Sequence, residues 1–174
     1  MKAVPFTPPD ASAMRRCMGR FTTGVAVVTA LDAAGEPQGM TINSLTSVSV
    51  DPCVLLVSLT VGTRTADAVD ASGAFAISIL GVRQEATARR FATRGGARFE
   101  GVEAEVTDSG IPIVGGALVH ADCRVHTTTD VGDHRVYFGE VGSLRDRAGT
   151  GLTFHSGRFG EFHDLGHAEM PWLF

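Results

Sequence analysis

Four short stretches carry the side chains with chemistry in them. The longest, residues 39–52, reads Gly-Met-Thr-Ile-Asn-Ser-Leu-Thr-Ser-Val-Ser-Val-Asp-Pro. Its β-branched residues run without a helical period and Asp51-Pro52 ends it, so the pattern predicts one strand. On strict alternation Thr41, Asn43, Leu45, Ser47 and Ser49 share one face, and Ile42, Ser44, Thr46, Val48 and Val50 the other. Short neutral groups that donate and accept dominate the first face and interrupt the second. They suit a flat, polar, uncharged ring edge; a solvent-facing strand carries the same residue types. The second stretch is Thr63-Arg64-Thr65, ahead of a helix-compatible segment at 66–72. Unsatisfied N–H groups and the positive end of the helix dipole sit there, and two hydroxyls with a guanidinium would complete a phosphate site. The alternative is a threonine N-cap beside a solvated arginine. The third is Asp133-His134, a group for proton donation or nicotinamide contact, or a turn histidine capped by its neighbour. The fourth is His155-Ser-Gly-Arg-Phe, where His155 and Arg158 either meet the phosphates or ribose of a dinucleotide or lie on the surface.

Other chemistries find no support. The six histidines form no metal set: His163 and His167 have i, i+4 spacing, but no His-Glu-x-x-His accompanies them and Gly166 weakens the helix. Ser44 and Ser47 lack a Gly-x-Ser-x-Gly elbow, and Cys17 lacks the helix N-terminus or neighbouring histidine that activates a thiol. Cys17, Cys53 and Cys123 match neither a disulfide framework nor a zinc spacing. A net charge of −4 leaves no electrostatic footprint for nucleic acid or an anionic membrane. No secretory leader and no apolar run of membrane-spanning length is read, which makes the cytoplasm the expected address.

The elements that must hold these groups follow in order. With 174 residues, 44% hydrophobic and 20% charged, the chain suits one globular domain. Residues 1–9, with Pro5, Pro8 and Pro9, read as a flexible arm, 10–165 as the domain and 166–174 as a tail. Asp10 or Ser12 can cap a helix whose Met14, Cys17, Met18 and Phe21 form a stripe for the core or for a partner subunit. A short strand at 25–30 and a turn at 32–38 lead into 39–52 as a hairpin. The apolar run 53–59 reads as a strand buried on both faces, with Cys53 a small buried hydrophobe. Residues 74–80 alternate, with Phe75, Ile77 and Ile79 together, and 84–92 reads as a helix with Ala88 and Phe91 inward. Residues 93–97 form a loop, and 103–114 a turn or edge strand. Runs at 119–129 and 135–144 make a second hairpin around Val131-Gly-Asp-His. Short strands, tight hairpins and two or three helices predict a small closed barrel. No Gly-x-Gly-x-x-Gly turn supports a Rossmann fold.

Taken together the motifs resemble a known family. Phe21-x-x-Gly24-Val25-x-Val27-Val28-Thr29, Gly39-Met40-Thr41-x-Asn43-Ser44 and Thr46-Ser47-Val48-Ser49-x-Asp51-Pro52 are similar to the flavin reductase domain family, short-chain reductases that partner two-component flavin-dependent monooxygenases. The resemblance continues through Thr63-x-Thr65, Ser72-Gly73-x-Phe75-Ala76, Phe91-Ala92, Cys123, Gly132-Asp133-His134, Gly139-Glu140-Val141 and His155-x-Gly157-x-Phe159. It implies a mainly β fold with a few helices, an FMN-binding split β-barrel, usually a homodimer with flavin near the subunit interface. Carried over by position, Thr41, Asn43, Ser44, Thr46 and Ser47 would face the flavin ring, and backbone around Val57, Ser58 and Leu59 would line it. Thr63, Arg64 and Thr65 would take the phosphate, and Arg90 and Phe91 would border the pocket. His134 would serve the nicotinamide side, with His155, Gly157, Arg158 and Phe159 as the other dinucleotide-contacting segment. Thr63 stands where serine is common and keeps the hydroxyl; Phe159 stands where tyrosine is frequent and loses one; Cys53 replaces a common proline.

The implied activity is NAD(P)H:flavin oxidoreduction, with NADH or NADPH as donor and reduced FMN or FAD released to a separate monooxygenase. Hydride chemistry of this kind needs positioning and preorganised dipoles rather than a protein nucleophile, which accords with the missing triad and metal set. A flavin carrier without turnover, or a split-barrel oxidase of another type, stays open.

Overall fold

The structure, a computed structural model, describes residues 4–95 and 98–166. Parts of the expected arm, of the 93–97 loop and of the tail, His167 included, lie outside the described residues.

Asp10 caps the first helix, α1 (Ala11–Met18), by accepting the Ala13 N–H at 2.6 Å. No residue of α1 is buried, and Met14, Met18 and Phe21 are more than half exposed. The stripe therefore does not face the core. After the two-residue β1 (Thr23–Gly24) come β2 (Ala26–Leu31) and β3 (Pro37–Ile42), joined by a turn in which Asp32 accepts the N–H groups of Ala34 and Glu36. The chain then enters β4 (Thr46–Val50) and β5 (Cys53–Thr60). The predicted single strand at 39–52 is thus two, interrupted at residues 43–45. Next are α2 (Arg64–Ser72), β6 (Ala74–Ile79), a 3-10 turn at Val82–Gln84 and α3 (Glu85–Ala92). A small hairpin, β7 (Ala104–Val106) with β8 (Pro112–Val114), precedes the long hairpin β9 (Val119–Val131) and β10 (His134–Asp146). The last hairpin is β11 (Leu152–His155) with β12 (Arg158–Glu161).

Seven strands make the main sheet in the order β3-β2-β6-β9-β10-β5-β4. Its two edge strands are therefore consecutive in sequence. Flat, seven strands would separate their edges by about 29 Å, at roughly 4.8 Å per neighbour. The four Cα steps from Ile42 to Thr46 reach at most about 14 Å. The sheet must roll to bring β3 and β4 together. No ladder joins those two strands, so the barrel is open along that seam, where tight hairpins predicted closure. A split barrel accommodates this arrangement.

Inside the roll, Val28, Ala30, Ile42, Val57, Leu59, Phe75, Ile77 and Tyr137 pack against Ala66, Ala68 and Val69 of α2. Tyr137 is fully buried and its hydroxyl donates to Asp70 Oδ1 at 2.9 Å, while Arg135 pairs with Asp70 at 2.7 Å; together they fix α2 over the core. A second core, with Val25, Val27, Leu80, Ala88, Phe91 and Leu152, lies under α3 and the three-stranded sheet β1-β11-β12. Ala88 and Phe91 face inward as their spacing predicts. Two expectations about β5 fail: only Val54, Val57 and Leu59 are buried, and Cys53 is exposed. Val57 and Leu59, on one face of β5, join the core beneath α2, while Leu56, Ser58 and Thr60 on the other face stay partly exposed.

Gly139 of β10 crosses Phe75 so closely that a Cβ there would lie 2.4 Å from the ring. Gly139→Ala should therefore destabilise the fold by roughly 1–3 kcal/mol through overpacking, read as a shift of the urea midpoint. Gly142→Ala, whose nearest neighbour would be 3.8 Å away, should stay within about 0.5 kcal/mol of the parent.

Candidate flavin site along the barrel seam

The seam is lined by β4 and, beyond its end, by the outer edge of β5, and polar groups follow it in register. Ser47 lies opposite Leu55 and Thr46 opposite Leu56. Beyond the end of β4, the Ser44 hydroxyl takes over as partner: it accepts the Ser58 N–H at 3.1 Å and donates to the Ser58 carbonyl at 2.9 Å. Two residues further, the Thr60 carbonyl accepts the Thr63 hydroxyl at 2.9 Å. An antiparallel strand turns alternate N–H and C=O pairs toward the same edge, so one rail runs from Leu56 through Ser58 to Thr60. Ser44 and Thr63 act as side-chain rungs on it.

This settles where each expected ring contact stands. Asn43, Thr46 and Ser47 are exposed on the seam. Ser44 spends its hydroxyl on the rail, and Thr41 donates to the Ala88 carbonyl at 2.7 Å, pinning β3 to α3. Val57 and Leu59 point wholly into the core, and Ser58 has its backbone partnered by Ser44. The alternation expected for this stretch is also broken by a bulge between Ser47 and Ser49.

Thr63 caps α2, its hydroxyl accepting the Ala66 N–H at 3.3 Å. Capping and an anion site coexist here, since one cap satisfies only one of the orphan donors at a helix start. Arg64 is exposed and forms no ion pair among the described residues. Thr65 is 1% exposed and its hydroxyl has no hydrogen-bond partner among the described residues. A buried hydroxyl left unpaired costs about 1–3 kcal/mol, and an anion at the start of α2 would relieve it. The donors present therefore fit a flavin phosphate. Arg64 also opens onto a cleft of about 270 Å³, whose other walls include Gly39 and Arg98. A larger hollow, about 710 Å³, lies between Gly73, Ser109, Asp122 and Ser143 and contains none of the expected residues.

His134 closes this end of the seam. It sits opposite Thr60 in the β10–β5 ladder, with Nε2 at 3.2 Å from Thr60 Oγ1 and Nδ1 at 2.8 Å from Asp133 Oδ1. The hydrogen bond from His134 holds the Asp133 carboxyl below the usual carboxylate range, aided by the charges of His134 and of Arg15 on α1. The other dinucleotide segment is organised separately. His155 Nδ1 lies 2.8 Å from Thr22 Oγ1, and Ser156 donates its N–H to the Gly19 carbonyl at 2.7 Å, tying the β11–β12 turn to the end of α1. Ser156 (φ 48°) and Gly157 (φ 81°) both take positive φ in that turn, and Arg158 is exposed. Phe159 packs on Phe154 with centroids 5.3 Å apart, and the Arg89 guanidinium lies 5.0 Å above it. Without a hydroxyl this ring serves as an apolar platform for a cation.

Two expected pocket-border residues play supporting parts. Phe91 is buried against Phe99, edge to face at 5.1 Å, and lies so close under Gly39 that a Cβ there would come within 2.9 Å. Arg90 donates to the Glu100 carbonyl. One further charged group lines the cleft without having been expected from the sequence, Arg98. It is half-buried, donates to the carbonyls of Gly39 and Thr93, and is held below the usual guanidinium range by burial and then by Arg64. It sits beyond a loop outside any periodic element, so no local pattern marks it. Burial first, then Asp122, pushes the Cys123 thiol up to about 12.

With this geometry in view, the comparisons are direct. Residues 18–163 match the flavin reductase like domain, and the chain belongs to that family. It is 39% identical over 153 residues to the FMN reductase (NADH) SmoA of Agrobacterium fabrum, covering 88% of this chain and 87% of the relative. The flavin-dependent monooxygenase reductase subunit HsaB of Rhodococcus jostii is 33% identical over 164 residues, covering 94% and 84%. Among solved structures, the Streptomyces globisporus NADH:FAD oxidoreductase SgcE6, in complex with NAD and FAD fragments, superposes with a TM-score of 0.87 at 35% identity. That match covers 95% of this chain and 100% of that one.

The rail makes a distinction that mutation can read. Ser44→Ala strips both partners from Ser58 and should cost about 1–3 kcal/mol of stability. Ser47→Ala removes an exposed hydroxyl and should stay within about 0.5 kcal/mol. Urea unfolding of the two variants without flavin checks the contrast.

Proposed function

We propose that this protein is an NAD(P)H-dependent flavin reductase that supplies reduced FMN or FAD to a separate flavin-dependent monooxygenase. The observation that carries this reading is the coincidence, on one strand edge, of exposed ring-facing groups and an anion-ready helix start. From Leu55, opposite Ser47, to Thr60, the anchor of Thr63, β5 runs about 17 Å at 3.4 Å per residue. That span suits a flat ring with a phosphorylated side chain. The relatives' names support the same reaction and the same kind of partner.

A bound flavin supplies the hydride acceptor; everything else falls to the chain. Asn43, Thr46 and Ser47 hydrogen-bond the polar edge of the ring and, as preorganised dipoles, support charge that develops there. Arg64, the Thr65 hydroxyl and the free N–H groups of α2 hold the phosphate. His134, with one nitrogen on Asp133 and the other on Thr60, is a rigid wall that orients the nicotinamide. His155 and Arg158 contact the rest of the donor, with Gly157 shaping their turn and Phe159 fixing its base. The unit responsible is taken as residues 10–165. Its partner is a second copy of the chain, since Met14, Met18 and Phe21 leave an apolar stripe uncovered on α1. The three free thiols are consistent with a cytoplasmic setting.

Stopped-flow mixing of flavin-loaded protein with NADH and with NADPH tests the proposal. Rapid bleaching of flavin absorbance is expected with at least one donor, and its absence would leave a flavin carrier as the surviving reading. His134→Ala should slow bleaching by up to about 100-fold, the scale of a misplaced reactant, while flavin is still bound.

A further inference from the structure

The cleft beside Arg64 has more in it than a monophosphate uses. Arg64 and Arg98 both line it, neither in an ion pair among the described residues, along with Gln38, the Phe99 ring and the carboxylates of Glu36 and Glu100. Arg98 is anchored rather than spent. Its contacts to the Gly39 and Thr93 carbonyls come from two different nitrogens and use two of its five N–H donors. Gln38 gives its amide N–H to Asp32 at 3.0 Å, so its carbonyl oxygen is left to accept. Burial and the nearby Arg64 charge both press against the ionised form of Arg98. Two like charges are thus held around one cleft, an arrangement that an anion between them would stabilise.

The remaining wall groups have a matching chemistry. An aromatic ring, an amide oxygen and two carboxylates accept what a nucleoside presents: a flat base, an exocyclic amino group and ribose hydroxyls. A ligand ending in one phosphate at the start of α2 would leave this wall bare. We propose that the cleft takes the adenosine monophosphate half of a dinucleotide flavin, with Arg98 on the second phosphate, and that this protein therefore selects FAD over FMN. The proposal rests on the seam being a flavin site, as argued above, and assigns Arg98 a role in selectivity rather than in hydride transfer.

The test is the ratio of dissociation constants for FMN and FAD, measured by flavin fluorescence quenching at fixed ionic strength, for the parent and Arg98→Gln. Thermal melting without flavin establishes that the variant is folded. The parent should bind FAD at least tenfold more tightly than FMN, about 1.4 kcal/mol, and Arg98→Gln should bring the ratio close to one. Equal affinities in the parent, or an equal loss for both flavins in the variant, would overturn the assignment, since Arg98 would then serve the first phosphate or none. Adenosine monophosphate gives a reading on the parent protein alone. Stronger competition against FAD than against FMN supports the cleft, and equal competition refutes it. Turnover separates this claim from the broader one. FAD preference without NADH or NADPH oxidation would sink the reductase reading and leave the cleft standing, whereas binding of neither flavin would end both.

Discussion

The structure depends on a short piece of chain that must cross from one edge of a seven-stranded sheet to the other. Residues 43–45 give no slack, so the sheet rolls until β3 and β4 are within their reach. The crossing leaves strand edges without ladder partners, and unpaired backbone groups are costly unless something else satisfies them. Ser44 answers on the β5 side, using one hydroxyl as both donor and acceptor at Ser58. On the β3 side Arg98 donates to the Gly39 carbonyl, and the Thr41 hydroxyl pins the strand to α3 at Ala88. The seam stays open to ligands because side chains rather than a closing strand complete its hydrogen bonding.

That economy sorts the polar residues by task. Ser44, Thr41 and Thr63 have partners within the chain, so they shape the seam. Asn43, Thr46 and Ser47 have exposed side chains, so they are available to what lies in it. The sorting also shows why the site can be rigid before any ligand arrives. The start of α2 is fixed because the helix is locked through Tyr137 and Asp70 to the barrel core. His134 is fixed through Thr60 to β5. Such preorganisation is what positioning catalysis requires, since the chain contributes geometry and dipoles instead of a bond-making group.

Much of this was legible in the sequence where local chemistry decides. Asp10 and Thr63 mark helix starts as candidate caps, and the structure uses both of them so. Ala88 and Phe91 announced the buried face of α3, and the long hairpin followed from two β-rich runs around a turn. Residues 39–52 were misjudged for a reason that lies outside the segment. Nothing within them records that their two halves pair with different strands, because β2 and β5 are what divide them. Cys53 differs for a similar reason: its neighbours are apolar, but it opens β5 opposite Val50 at the turn from β4, and only tertiary packing decides which residues of the strand are covered. Arg98 had no pattern at all. Its place on the cleft comes from Gly39, 59 residues away in sequence, which lies beside it only in the folded chain.

The strand order has a further consequence, for how the chain reaches this state. Up to the end of α3 the nascent chain can form two separate pieces of sheet, β3-β2-β6 and β4-β5. The strands that unite them, β9 and β10, come more than twenty residues later, and β1 waits for β11 near the end. Contacts so distant in sequence must close large loops before they are rewarded, which slows folding. The seam is therefore among the last features to take shape, although its own residues are among the first to be synthesised. During that interval the edge of β5 that β10 will cover stands unpaired, a strand edge open to wrong partners until the long hairpin arrives.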